Sequence, residues 1–180
     1  LALVLAADDN PMDFTRQLIQ GIGAKIEGTW FHLSVIPEFA RSNPTKAVRY
    51  ILENRSADGV ILTHTSARDP RVQFLMDAEF PFVCHGRTEF YTPHPYHDFN
   101  AGKFVEIAIE RLASKGRRRI LLAVADNGTT NYATILQGFR RAVAEAGLVG
   151  DIANDPMALN TPKGARRFGQ TLAGQAEPFD

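Results

Sequence analysis

The chain alternates short apolar runs with longer stretches whose apolar residues recur at helical spacing, and this alternation restricts the fold more than any other feature. The apolar runs predict strands at residues 1–7, 30–36, 59–63, 80–85 and 119–124. The longer stretches predict helices at residues 13–26, 43–53, 69–78, 101–115, 134–146 and 163–173. Strands without polar alternation are typical of parallel sheets that are covered on both faces. The order of elements therefore predicts a doubly wound α/β protein with right-handed crossovers.

One interval interrupts this alternation. Residues 86–100, GRTEFYTPHPYHDFN, contain two prolines and no helical period. They predict either a long loop or a short extra strand at residues 96–99, after which the chain crosses to a second lobe. We therefore expect two lobes of doubly wound parallel sheet, an N-terminal lobe at residues 1–99 and part of a C-terminal lobe at residues 100–180.

Some helix boundaries carry local signals. Asn43 is predicted to cap a helix with Pro44 in its first position, and Asp69 followed by Pro70 repeats that pattern. Gly116 predicts the end of the fourth helix, because glycine adopts the left-handed conformation that commonly follows a helix.

The charge and cysteine content exclude several classes of protein. Twenty basic and twenty acidic side chains cancel, so the overall charge does not favour nucleic acid or an anionic membrane. No apolar run reaches the length of a membrane span, and no membrane partner is expected. The single cysteine, Cys84, excludes an internal disulfide and fits a reducing compartment.

Motifs for cofactors, metals and catalysis are weak, and no cofactor is predicted. The glycines of GIGAKIEG lie within or after the first helix, whereas a dinucleotide site needs them at a strand-to-helix turn. His94 and His97 do not complete a zinc site, and although His85 is an available third ligand, scattered loop histidines are favoured. Cys84 and His85 are neighbours on a strand and face opposite sides, which disfavours a catalytic pair.

Polar and aromatic side chains follow several predicted strands. They are Asn10, Met12, Asp13 and Phe14 after the first strand, His64 after the third, Arg87 after the fourth and Asn131 after the fifth. Ligands of open α/β sheets bind at the carboxyl ends of strands, so these residues predict a cleft for a small polar ligand with an apolar face, such as a sugar. A turn at Asn10, a helix cap at Asp13 and a core position for Phe14 are the alternatives.

Successive segments of the chain resemble the effector-binding domain of the LacI (lactose repressor) family, which is related to periplasmic sugar-binding proteins. The segments are DNPMDFTRQLIQGI, RSADGVIL, FPFVCHGRTE, YHDFNAGKFVEIAIERLASKGRRRILL and LQGFRRAVAEAGL, in the family's order and spacing. The resemblance covers nearly the whole chain, and no one segment alone would suffice for it.

This resemblance implies a cytoplasmic, non-enzymatic bacterial transcription regulator that binds a sugar-like effector between two lobes. It also implies operator DNA as a partner, through a helix-turn-helix domain outside this chain. A homodimer is implied as well, with the helices at residues 43–53 and 69–78 as its interface and Leu75 and Met76 as apolar contacts. By position, residues 10–14 match a wall of the first lobe, Arg87 matches the arginine of the family's Asp-Arg pair, and Asn131 matches a polar effector contact.

Two positions depart from the family pattern. Gly86 stands where an aspartate commonly hydrogen-bonds the effector, and Ile135 stands where several members have an arginine. These departures imply a ligand unlike those members' sugars, or contacts drawn from elsewhere, such as Asp13, His64 or Asp98.

Two other functions are weighed against the regulator. A periplasmic solute-binding protein shares the expected fold, and an upstream signal peptide or helix-turn-helix would separate the two. A small α/β hydrolase that uses His64, His85 or Asp13 is disfavoured, because the sequence offers no nucleophile with a matching base.

Overall fold

The computed structural model describes the chain in two compact units, Leu1–Asp98 and Phe99–Asp180. The description covers residues 1–6, 12–38, 43–153, 161–174 and 179–180. The whole of Asn10 and the side chains of Ala6, Met12 and Asp13 lie outside it. Each unit has its own parallel sheet and its own apolar core, so the predicted α/β architecture is confirmed.

The sheet of the first unit has the strand order β2-β1-β3-β4-β5, and all neighbouring strands are parallel. Its strands are β1 Ala2–Ala6, β2 Ser34–Glu38, β3 Val60–Leu62, β4 Phe82–His85 and β5 Tyr96–His97. The two-residue β5 is the short extra strand that was one of the two predicted forms of residues 86–100. The helices of this unit are α1 Met12–Ile26, α2 Lys46–Glu53 and α3 Pro70–Asp77. β2 and β5 are the edges of the sheet, and Pro37 in β2 has no N–H to donate.

The core of the first unit lies between the sheet and helices α2 and α3. Val48 and Ile51 of α2, and Val72 and Leu75 of α3, are fully buried at the three-residue spacing of one helix face. Leu75 is therefore unavailable to a partner chain, and its prediction as a dimer contact was wrong. Met76 is half-buried and packs against the same core.

A buried ion network connects the end of β2 with the start of α3. Nη1 of Arg71 donates to Oε2 of Glu38 at 2.8 Å, and Nη2 donates to Oδ2 of Asp69 at 2.7 Å. Nε of Arg71 also donates to Oδ1 of Asp69 at 2.9 Å. Asp69 caps α3 by accepting the backbone N–H of Arg71, which confirms the predicted Asp69-Pro70 helix start.

The two carboxylates of this network differ in how well they are compensated. Burial disfavours the charge on Asp69, but the hydrogen bonds and the charge of Arg71 outweigh it and lower the pKa of Asp69. Burial raises the pKa of Glu38, and the attraction of Arg71 offsets only part of that effect. Oε1 of Glu38 is buried without a hydrogen-bond partner. Arg71 therefore neutralises Asp69 well and Glu38 incompletely, although both form short ion pairs with it.

The second unit pairs β6 Arg119–Ala123 with β7 Val149–Ala153 in parallel. Its helices are α4 Ala101–Ser114, α5 Thr130–Glu145 and α6 Pro162–Ala173. Side chains of α4, α5 and β6, including Val105, Ile120 and Phe139, form its core. Helices α4 and α5 approach each other closely at two glycines. A Cβ on Gly138 would lie only 3.2 Å from the Cα of Gly102.

Strand β2 begins at Ser34, four residues after its predicted start. Pairing with β1 starts at Ala2 with Ser34, so β1 offers no partner for the aromatic residues at 30–31. Trp30 is fully exposed and Phe31 is about half exposed. Their β propensity alone does not extend the strand, because propensity in sheets reflects packing against neighbours.

Other boundaries depend on local hydrogen bonds that the apolar pattern does not reveal. Residues 43–45 form a turn in which the amide of Lys46 donates to the carbonyl of Asn43, so α2 begins at Lys46 and Asn43 does not cap it. Helix α5 begins at Thr130 instead of residue 134, because the hydroxyl of Thr129 caps its first turn. Strand β7 was missed, because its sequence VGDIA is too polar to be recognised as an apolar run.

Gly150 of β7 provides a test of packing in the second unit. A Cβ at this position would lie 2.8 Å from Cγ1 of Val143 and 3.1 Å from Cζ of Phe139. We expect Gly150→Ala to lower the free energy of unfolding by about 1–3 kcal/mol, because two core side chains must move. Urea denaturation measures the change. Gly169→Ala is the matched control, since nothing lies within 4 Å of its Cβ position in α6, and it should stabilise the chain by about 0.5–1 kcal/mol.

Candidate functional site

The carboxyl ends of the parallel strands in the first unit meet at one edge of its sheet, and helix α1 begins beside them. This edge is defined here as the carboxyl edge. It consists of Phe14, His64, His85, Arg87, His97 and Asp98. Open α/β sheets bind ligands in crevices at such an edge. Of the predicted site residues, Phe14, His64, Arg87 and Asp98 therefore lie in one part of the fold.

Three ring side chains form the apolar part of the carboxyl edge. The ring centroids of Phe14 and His85 are 5.0 Å apart, and those of His85 and His97 are 5.9 Å apart. The sheet register makes His85 of β4 the direct partner of His97 of β5. Phe14 is 40% exposed, so its ring offers a face to solvent and is not a core residue, which was the alternative interpretation.

The electrostatics around His85 favour its neutral form. Burial lowers the pKa of His85, and the neighbouring rings of His97 and His64 act in the same direction. Asp98 acts in the opposite direction and offsets part of the shift. The neutral imidazole has one donor and one acceptor nitrogen, which suits hydrogen bonds to a hydroxyl group.

Arg87 and Asp98 form an ion pair at the carboxyl edge. Nε of Arg87 donates to Oδ2 of Asp98 at 2.9 Å, and the backbone N–H of Arg87 donates to the same oxygen at 3.3 Å. The guanidinium carbon lies 6.0 Å from the ring centroid of Tyr96. The side chain of Asp98 is only 7% exposed, whereas that of Arg87 is 44% exposed. Asp98 therefore orients Arg87, and Arg87 is the more accessible of the two to a ligand.

The backbone at Gly86 explains one departure from the family pattern. Gly86 has a φ of 108°, which side-chain-bearing residues rarely adopt. A Cβ at this position would lie 2.6 Å from Oγ1 of Thr65. An aspartate does not fit here without a change of backbone.

His64 lies just beyond β3 with a left-handed backbone, φ 54°. Its Nδ1 is 3.1 Å from the hydroxyl of Thr63, which donates to the carbonyl of Val4 at 3.0 Å. Nη2 of Arg71 donates to the carbonyl of His64 at 3.2 Å, so the ion network also fixes this loop.

Asn131 lies in the second unit, in the first turn of α5 and not in a loop as predicted. Its Oδ1 is buried and has no hydrogen-bond partner. An unpartnered buried amide oxygen is unusual and marks Asn131 as available for a ligand hydrogen bond. Ile135, one turn further along α5, packs against the core of the second unit.

Sequence reasoning missed His85 and His97 as a pair, although it weighed His85 as a metal ligand and as a catalytic residue. The signal that identifies them is the β4–β5 register, which aligns two histidines that are twelve residues apart. Met12 and Asp13 fall in the first turn of α1, so Asp13 is not the N-cap residue. Their side chains and Asn10 are outside the described residues.

The described side chains offer little for metal binding or nucleophilic catalysis. No three His, Cys, Asp or Glu side chains among them are placed to hold a metal ion. Cys84 is buried, and burial raises its pKa to about 12, so its thiol stays protonated at neutral pH. None of the described helices has the length and apolar character that crossing a membrane requires.

Comparison with known proteins identifies the family. A family model described as periplasmic binding proteins and sugar binding domain of LacI family matches residues 1–168. The chain belongs to this family. The match covers the first unit and most of the second, so the LacI-family effector-binding domain predicted from sequence is confirmed.

Relatives of this LacI-family domain include annotated regulators. The HTH-type transcriptional regulator AglR of Rhizobium meliloti is 27% identical over 178 residues, which are 97% of this chain and 49% of AglR. The chain thus spans about half the length of that relative.

Solved structures share the fold. A LacI family transcriptional regulator from Bifidobacterium animalis matches with a TM-score of 0.84 and 16% identity, over 99% of this chain and 63% of that chain. A transcriptional regulator CelR–cellobiose complex matches with a TM-score of 0.67 and 23% identity, over 85% of this chain and 50% of that chain.

Proposed function

We propose that this LacI-family domain binds a small neutral sugar at the carboxyl edge and controls DNA binding by a helix-turn-helix domain of the same regulator. The observation that carries the proposal is the arrangement of the carboxyl edge itself. An exposed aromatic face lies beside two imidazoles and an arginine that is already oriented. Sugar sites combine an aromatic face for the apolar side of the ring with a few convergent polar groups.

The role of each residue follows from its exposure and partners. Phe14 contacts the apolar face of the sugar ring, and His85 and His97 exchange hydrogen bonds with its hydroxyl groups. Arg87 donates to a ring or hydroxyl oxygen, while Asp98 holds the guanidinium in place. His64 is the next polar group along the edge. The role of Asn131 of the second unit as a polar contact stays a prediction, supported by its unpartnered Oδ1.

The biological setting is part of the same proposal. Annotated relatives are transcriptional regulators, which favours a cytoplasmic regulator over a periplasmic solute-binding protein. Operator DNA is the macromolecular partner, bound through residues outside this chain, and the regulator acts as a homodimer. Exposed side chains of α2, such as Tyr50, provide apolar surface for that dimer in place of Leu75. A hydrolase with Cys84 as its nucleophile is disfavoured by the protonated, buried state of that thiol.

A thermal-shift panel of neutral mono- and disaccharides, with cellobiose included, tests the proposal. We expect at least one sugar to stabilise the protein, by about 2.7 kcal/mol when its concentration is a hundredfold above its Kd. Calorimetric titration then gives the affinity of the sugar with the largest shift. The proposal fails if no sugar in the panel raises the melting temperature.

Substitutions at the ion pair show where the sugar binds. Arg87→Met removes a charged donor and should weaken binding about ten- to a hundredfold, because such a hydrogen bond contributes about 1.5–3 kcal/mol. Asp98→Asn should weaken it less, since it only loosens the guanidinium. Arg111→Met, on exposed α4 surface, is the matched control and should leave affinity unchanged. Equal affinities for all these variants would place the site elsewhere.

A further inference from the structure

Two histidine rings lie side by side at the carboxyl edge. The register of the parallel strands pairs His85 of β4 with His97 of β5, and residues paired in this way direct their side chains to the same face of the sheet. Their ring centroids are 5.9 Å apart. His85 is half-buried and His97 is exposed, so protons reach the pair from solvent.

Every element packed around the pair contributes a group that affects its charge. Phe14 of α1 covers the ring of His85 and removes water from it. His64, after β3, is a second imidazole within electrostatic reach. Asp98, after β5, is the acidic group that favours protonation, and one of its oxygens already accepts the Nε–H of Arg87. Among the described residues around the pair, three imidazoles therefore lie near one carboxylate, and that carboxylate already pairs with Arg87.

We infer that the His85–His97 pair makes the carboxyl edge sensitive to pH and thereby regulates sugar binding. This regulatory role rests on the function proposed above. Two adjacent imidazolium ions repel each other, so a charge on His97 makes protonation of His85 less favourable. The charge of His85 changes below its ordinary pKa of 6.5, because burial and the neighbouring His97 lower that pKa.

Protonation changes both the charge and the hydrogen bonding of the surface beside Phe14. A neutral imidazole accepts a hydrogen bond from a sugar hydroxyl, whereas an imidazolium ion only donates. Acidification therefore removes hydrogen-bond acceptors from the edge and places a cation at the start of α1. Sugar affinity falls as the pH decreases from neutral.

The lowered pKa of His85 also makes the stability of the fold depend on pH. Burial and the neighbouring His97 lower the pKa of His85, so the unfolded chain binds the proton more readily than the folded chain. The contribution of neutral His85 to stability is fully present above its ordinary pKa of 6.5. It is lost as the pH falls from that value through the pKa of the folded state.

Titration of the histidine ring protons by NMR, without any sugar, tests the inference. His97→Gln removes the neighbouring imidazole, and we expect the titration midpoint of His85 to rise. His94→Gln is the matched control, because His94 contacts Phe82 and Tyr96. These two side chains and those of His85 and His97 lie on opposite faces of β4 and β5. In the wild type, the ring signals of Phe14 should shift with the same midpoint as His85.

The outcomes separate this inference from the proposed function. A midpoint of His85 that is the same in the wild type and His97→Gln overturns the inference, even if a sugar binds tightly at neutral pH. Phe14 signals that do not change with pH overturn it as well. If His97→Gln fails to fold, His97→Phe decides, because it also removes the neighbouring imidazole while keeping a ring beside His85. A raised midpoint without sugar binding supports the coupled pair and contradicts only the proposed function.

Discussion

Replacing Arg71 with methionine is expected to lower the free energy of unfolding by about 3–5 kcal/mol. Methionine has a similar length and fills the space, but it leaves the carboxylates of Asp69 and Glu38 buried without a cation. The side chains of Arg71 and Asp69 are 7% and 3% exposed, so water cannot replace the lost partner. The carbonyls of Thr63 and His64 lose a donor in the same substitution.

Urea denaturation followed by circular dichroism measures this loss, and hydrogen exchange of peptides from β3 and α3 assigns it to the first unit. Arg68→Met is the matched control, because Arg68 is exposed in the turn before α3. It should change stability by about 0.5 kcal/mol or less. A loss below about 1 kcal/mol for Arg71→Met would mean that the carboxylates take up protons or reach water at little cost.

The change in stability at acidic pH tests the same ion network. Arg71 lowers the pKa of Asp69, so the contribution of Asp69 to stability is present above its ordinary pKa of 3.8. It is lost as the pH falls through the lower pKa of the folded state. This loss in acid should be smaller in Arg71→Met, because only the backbone N–H groups of residue 71 and Ser66 then lower the pKa of Asp69.

Replacing Gly86 with alanine is expected to have the second largest effect, a loss of about 2–4 kcal/mol. The left-handed backbone at φ 108° contributes about 1–3 kcal/mol of strain once a Cβ is present. The contact of that Cβ with Oγ1 of Thr65, at 2.6 Å, adds to it. Because Arg87 is the next residue, the variant should also bind any sugar found in the panel less tightly.

Thermal melts and urea denaturation measure the loss, with Gly128→Ala as the control. Gly128 also has a positive φ, of 69°, but nothing lies within 4 Å of its Cβ position, so only the backbone strain of about 1–2 kcal/mol applies. Adding Thr65→Ala to Gly86→Ala should recover part of the difference in stability between Gly86→Ala and Gly128→Ala. Equal losses for Gly86→Ala and Gly128→Ala would show that the contact with Thr65 relaxes freely.

Sequence reasoning succeeded where the signal is local. Asp69 followed by Pro70 marks a helix start through a hydrogen bond to the next turn, and both partners lie within two residues. The apolar runs of β1, β3 and β4 were recognised because a strand that is buried on both faces has few polar residues. The order of strands and helices as far as α5 was therefore predictable.

Contacts between distant residues were not predictable. Arg71 pairs with Glu38, which is 33 residues away, and nothing near either residue marks the partner. The pairing of His85 with His97 depends on the register of a strand of two residues, which has no apolar pattern. The predicted site residues were chosen from strand exits, and their roles in binding stay predictions.

The two edges of the first sheet affect how the protein behaves at high concentration. An edge strand exposes unpaired N–H and C=O groups, and these can pair with another chain and start aggregation. One edge here is β2, where Pro37 cannot donate to an added strand. The other edge is β5, which at two residues is too short to serve as a template. The first unit should therefore resist ordered self-association through its sheet. Pro37→Val would restore a backbone N–H to β2 and allow this longer edge strand to pair with another chain.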